Sequence, residues 1–227
     1  MKIISEKIIP KYARIPLLAI LIFNLAVYYG AGLIVNSMDN HMDISLSIDS
    51  YIPFVPAFIV IYVLAYAQWV IGYVVISHSD IEHCYKVASA EIIAKAMCLA
   101  CFIIIPTTIV RPEVTGGGFF GFATSFIYSA DAPINLFPSI HCLESWVVFR
   151  CCLKMKLPKC YKIGMGIFTA LVFASVVLVK QHVFIDIPAG ILVFEIGYLI
   201  TRLTKIDKLW MNLVSKAKKS GKKAAQS

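Results

Sequence analysis

Charge is what this chain has least of. Asp, Glu, Lys and Arg make up only 15% of its 227 residues, against 59% hydrophobic residues, and the mean hydropathy is +0.81. A soluble domain of this length carries about 25% charged residues, so the composition excludes an ordinary water-exposed surface and leaves a polytopic membrane protein. Acidic residues are the scarcer sign, 13 against 21 Lys and Arg, for a net charge of +8. That excess does not point to nucleic acid, because the cations sit in short clusters beside apolar runs, the pattern of membrane topology rather than of a DNA-binding face. The seven cysteines, at positions 84, 98, 101, 142, 151, 152 and 160, show no framework spacing. Cys98 and Cys101 lie in an apolar run where cysteine serves as a small hydrophobe, and the last three border a basic, reducing-side loop, so no structural disulfide is expected. No metal-family spacing such as HExxH occurs, and no metal or other cofactor is expected.

What the chain has in abundance is apolar runs. After a basic N-terminus (residues 1–14), the segments from about Pro16 to Val35, Phe54 to Ile76, Val87 to Val110, Ser139 to Leu153, Ile163 to Val179 and Val183 to Arg202 read as six transmembrane helices. The first reads as a retained span, since a signal-peptide core would be shorter and end in a small-x-small site. The expected fold is all-α, a six-span domain over residues 15–203. A Lys-rich tail over 204–227 should be disordered and attracted to anionic lipid heads. Six spans put both termini on one side, and every basic cluster makes that side cytosolic. The opposite face receives the acidic loop with Asp39, Asp43 and Asp49, the long segment Arg111–Pro138 and the turn at Lys180–Gln181. Within the third span, Glu91 and Lys95 are spaced to pair on one helix face, softening its cytosolic end.

The residues with chemistry gather at that outer level. Lys180-Gln181-His182-Val183-Phe184-Ile185-Asp186 places Asp186 one helical turn beyond His182, the geometry of an imidazole oriented through Nδ1 with Nε2 left free. Arg111-Pro112 closes the third span with a guanidinium suited to phosphate oxygens. Pro138 and Ser139 start the fourth span, with Ser139 as N-cap and the outward amides of residues 140–142 as an anion site. His141 sits on that first turn, placed to protonate a leaving oxygen, with Glu144 three residues on as its candidate orienter. Thr115-Gly116-Gly117-Gly118 reads as a mobile lid that admits lipid rather than a phosphate cradle, because no Lys follows at P-loop spacing.

Together these motifs resemble the membrane-bound type 2 phosphatidic acid phosphatase and haloperoxidase superfamily, whose signature runs Lys-x6-Arg-Pro, then Pro-Ser-Gly-His, then Ser-Arg-x5-His-x3-Asp. Here Arg111-Pro112, Pro138-Ser139-Ile140-His141, and Ser175 with His182 and Asp186 stand at the matching places. Two family cations are replaced, by Ile104 and Val176, and Lys180 is a candidate substitute. Ile140 in place of Gly, with Gln181 before His182, looks more like the branch containing inositol phosphorylceramide synthase and related lipid phosphotransferases.

The resemblance implies a lipid phosphatase or phosphotransferase acting on a lipid phosphate or phosphodiester at the extracytoplasmic or lumenal face. His182 is then the nucleophile, Asp186 its partner, His141 the acid and base, Arg111, Lys180 and Ser139 the phosphate holders, and Ser175 a support. Partners are bilayer lipids and no nucleic acid. The rival expectation is a catalytically silent membrane protein that holds a lipid phosphate, favoured by the two missing cations. A transporter fits less well, because the ionisable residues cluster at one surface and not at the midplane.

Overall fold

The computed structural model describes residues 8–215. In chain order it contains α1 (Lys11–Val35), α2 (Ile59–Ser77), α3 (Ile81–Ile104), α4 (Gly118–Ala130), α5 (Ile140–Cys152), α6 (Lys159–Leu178) and α7 (Asp186–Thr204). Local chemistry sets several of these limits. A 3-10 turn led by Pro56 feeds α2. The Asp80 carboxylate caps α3 by accepting from the His83 amide at 2.8 Å. α6 ends in a Schellman-type turn, in which the Lys180 amide donates to Val177 O and the Gln181 amide to Val176 O, with Lys180 left-handed at φ 51°.

Five helices are long and apolar enough to cross a membrane: α1, α2 with its leading turn, α3, α6 and α7. The remaining expected span is α5, which has only 13 residues. At 1.5 Å per residue it covers about 20 Å of a hydrocarbon core of about 30 Å. It is enclosed rather than lipid-facing, packed between α2, α6 and α7 with Leu143, Val147, Val148 and Cys151 buried. Close approach depends on glycine: a Cβ on Gly72 of α2 would lie 2.5 Å from Val148, and one on Gly197 of α7 would lie 2.6 Å from Ala90 O.

Three expectations change. The segment 111–138 is not a mobile lid throughout, because its Phe-rich half forms α4, with Phe119, Phe122 and Phe126 exposed along a surface helix. The glycines before it make a tight start, where Gly121 leaves room for the carbonyl of Gly116. The tail is ordered as far as residue 215: residues 208–215 are helical, and Trp210 is buried with its indole N–H donating to Ser89 Oγ at 2.9 Å. Trp210 and Val214, packed against Ile20, Tyr85 and Ala88, thus secure a segment whose lysines argued for disorder; residues 216–227 and 1–7 lie outside the described residues. Finally, Glu91 and Lys95 do not soften a helix end. They are 0% and 1% exposed, and the Lys95 ammonium joins Glu91 at 3.5 Å, Glu144 of α5 and Asn24 Oδ1 of α1.

The two ends of the bundle differ in kind. At one end Tyr12 donates to the carbonyls of Ser77 and Ser79, and Lys86, Lys154 and Lys156 share a cavity with His78 and Tyr198. The other end gathers the loops before α2, after α3, between α4 and α5 and between α6 and α7. Isolated bridges pairing Met42 with Thr107 and Thr108 with Ile134 tie three of these segments together.

Candidate active site

His182 follows the turn that ends α6, and its amide donates to Val176 O at 3.0 Å. Asp186 opens α7. One helical turn brings the two together as the spacing predicted, with His182 Nδ1 at 2.9 Å from Asp186 Oδ2. The same oxygen accepts from the Val183 amide at 3.2 Å. A buried carboxylate held by a backbone donor orients the ring through Nδ1 and leaves Nε2 outside the pair. Asp49 adds a clamp that sequence reasoning missed: its Oδ1 accepts from the Phe184 amide at 2.7 Å, holding the turn from outside.

Two other segments meet this dyad, the start of α5 and the loop after α3. Ser139 caps α5, its Oγ accepting from the Cys142 amide at 3.3 Å, and its own amide donates to the Asp186 carbonyl at 3.4 Å. Gly190 makes this contact between α5 and α7 feasible, since a Cβ there would lie 2.7 Å from Ser139 O. His141, one residue into α5, has its ring centroid 6.4 Å from that of His182. Its ring stacks on Tyr62 at 4.1 Å and meets the edges of Tyr66 and Trp69, and its Nε2 is buried without a partner. Arg111 arrives from the loop after α3. Its guanidinium lies over the Tyr128 ring at 4.6 Å, donates to the carbonyls of Tyr128 and Asp131, and donates to Gln181 Oε1. Burial lowers the Arg111 guanidinium from its ordinary value, and the Asp131 carboxylate opposes that shift.

His182 borders two cavities. One, of about 440 Å³, is walled by Arg111, Lys180, Asp49 and Phe54. The other, of about 310 Å³, is walled by His141, Gln181, Asp131 and tyrosines of α1 and α2. The structure therefore brings His182, Asp186, His141, Arg111 and Ser139 into one neighbourhood.

Three expected site residues take other roles. Glu144 does not orient His141; its carboxylate is taken by Lys95 and by the Tyr73 hydroxyl, because α3 presents a cation to the opposite flank of α5. Ser175 is buried and donates to its own helix at Val172 O, 2.8 Å away, so it supports α6 and not the site. Lys180 reaches the cavity wall, but its ammonium donates to Ile52 O at 2.6 Å and Asp49 O at 3.2 Å. The positions where the resemblance lacks cations do not face the cavity either: Ile104 is 75% exposed on the flank of α3, and Val176 is fully buried. Gln181, which bonds Arg111, carried a weak sequence signal beside His182, whereas Asp131 carried none.

All seven cysteines are free thiols, and among the described residues no three His, Cys, Asp or Glu side chains converge as a metal site. No protein-family model, curated protein or solved structure matches the chain.

Proposed function

We propose that this integral membrane protein is a lipid phosphatase or phosphotransferase, acting on a lipid-linked phosphate at its non-cytosolic face through a phosphohistidine at His182. The observation that carries the proposal is the His182–Asp186 dyad opening on cavities it shares with His141 and Arg111. In the first step His182 Nε2 attacks phosphorus, the N–P bond forms, and the P–O bond to the leaving group breaks. Asp186 stabilises the cationic ring that results. Protonated His141 gives its proton to the departing oxygen. Arg111, whose Nε is buried without a partner, and the amides at the start of α5 hold the phosphoryl oxygens as charge builds. In the second step neutral His141 takes the proton of water or a lipid alcohol, whose oxygen attacks phosphorus and releases His182.

In this reading α5 and its flanking turns complete a sixth crossing, both termini are cytosolic, and the site lies on the opposite face. The basic cluster at one end of the bundle and the dyad at the other support that orientation.

A catalytically silent lipid-phosphate-binding protein is the second reading, favoured by the carbonyls that already occupy Arg111 and Lys180. One experiment separates the two: release of phosphate, or transfer of a headgroup to added diacylglycerol or ceramide, by detergent-purified full chain with chelator present, wild type beside His182→Ala. The enzyme reading expects turnover that vanishes in the variant. Full turnover in His182→Ala overturns it, and lipid-phosphate binding without any turnover selects the silent binder.

A further inference from the structure

The two cavities that meet at His182 have opposite character. The outer one carries Arg111 and Lys180. The other has no Lys or Arg in its wall and is lined instead by Tyr28 and Tyr29 of α1, by Tyr62, Tyr66 and Trp69 of α2, and by one carboxylate, Asp131. The α2 aromatics recur at i, i+4 and i+7, so a single helix stripe turns toward the cavity. Asp131 is positioned by the Tyr28 hydroxyl, which donates to its Oδ1 at 2.6 Å, with the Tyr62 hydroxyl at 3.5 Å from Oδ2. Arg111 donates to the Asp131 carbonyl and forms no hydrogen bond to its carboxylate, although it feels that charge. Among the described residues Asp131 forms no ion pair.

A hydrocarbon chain would gain nothing from that carboxylate. An organic cation gains from both features, since the faces of Tyr and Trp rings carry negative charge density and a carboxylate completes the cage. Resting on the lipid-phosphate reading above, we propose that this cavity takes the quaternary ammonium end of a zwitterionic phosphodiester headgroup, whose phosphate lies at His182 beside Arg111. The substrate class is then a choline-type phospholipid. The group passed to His182 carries the cation with it, while the diacylglycerol oxygen leaves with the His141 proton.

The test reads binding and turnover separately. Phosphocholine and the phosphate ester of 3,3-dimethylbutanol, which has the same shape without the charge, are titrated calorimetrically into detergent-solubilised full-length His182→Ala protein, where no turnover intervenes. Phosphocholine should bind roughly ten times more tightly, the fold-change that cation–π contacts together with a carboxylate support. Asp131→Asn and Tyr66→Leu should each erase that preference, while Tyr66→Phe, which keeps the ring, should retain it. Equal binding of the two esters, no binding of either, or a loss in Tyr66→Phe as large as in Tyr66→Leu overturns the assignment. If the preference stands but wild type shows no His182-dependent turnover, the cation site holds and only the enzyme reading falls. His182-dependent turnover without the preference refutes the cation site alone.

Discussion

At the scale of single residues, the proposed chemistry rests on a ring orientation that is set twice, by the Asp186 carboxylate at His182 Nδ1 and by the Val183 amide on that carboxylate. Asp186→Asn preserves shape and one hydrogen bond but removes the charge that, in the proposed mechanism, stabilises a cationic phosphohistidine. Steady-state kinetics should show kcat falling roughly 100-fold or more, with KM changed far less; an unchanged kcat would remove Asp186 from the mechanism. Arg111 makes a planar fork of contacts to the carbonyls of Tyr128 and Asp131 and to Gln181. A lysine cannot reproduce that fork, so Arg111→Lys should cost roughly tenfold or more in kcat/KM, and near-wild-type activity would show that only the charge is used. The His182–Asp186 pair was legible in the sequence because helix geometry alone joins residues four apart. The His141–Glu144 pair, three apart on α5, shares a helix face in the same way and still failed, because a stronger partner, Lys95, arrives from another helix.

At the scale of elements, α5 is the piece on which the site turns, a short helix that delivers Ser139 and His141 to α7 and is anchored at its middle by charge. Gly190 is the contact point with α7. Gly190→Ala forces Ser139 O outward, at a typical overpacking cost of about 1–3 kcal/mol, and should lower turnover more than it lowers the melting temperature would suggest. Retained turnover with reduced stability would confine Gly190 to packing.

The Lys95–Glu144–Glu91 cluster binds α3 to α5 in the interior. Lys95→Met leaves two buried carboxylates facing each other and should destabilise by about 3–5 kcal/mol, as removal of one partner from a buried pair does. Adding Glu91→Gln to that variant should recover part of the loss, measured as melting temperature in detergent; no recovery would mean the two carboxylates do not repel.

At the scale of the whole molecule, the bundle is polarised, with the lysine clusters at one end and the dyad, Arg111 and the acidic loop at the other. Among the cysteines only Cys160, at the start of α6 in the basic end, is exposed. An impermeant maleimide added to sealed cells should therefore leave Cys160 unlabelled until the membrane is opened, while a cysteine placed at Ser45, beside the dyad, should label at once. The reverse pattern would invert the orientation and put the site in the cytosol.

The sequence by itself determined the helical class, the places where most of the long helices stop, and the juxtaposition of His182 with Asp186. Those follow from hydrophobic run length, caps and helical periodicity, all of which act over a few residues. It also brought Arg111, Ser139 and His141 under suspicion, because Ser139 and His141 stand at a helix start and Arg111 follows the third apolar run; the structure ends that helix at Ile104 and leaves Arg111 in the loop beyond it. Only the tertiary structure decided which long-range partners win. Lys95 claims Glu144, carbonyls claim Lys180, Trp210 orders the segment after α7, and α4 fills a stretch that looked like open loop. These outcomes depend on which helix faces which, and buried polar groups take the nearest satisfying partner in space, a quantity no local spacing encodes.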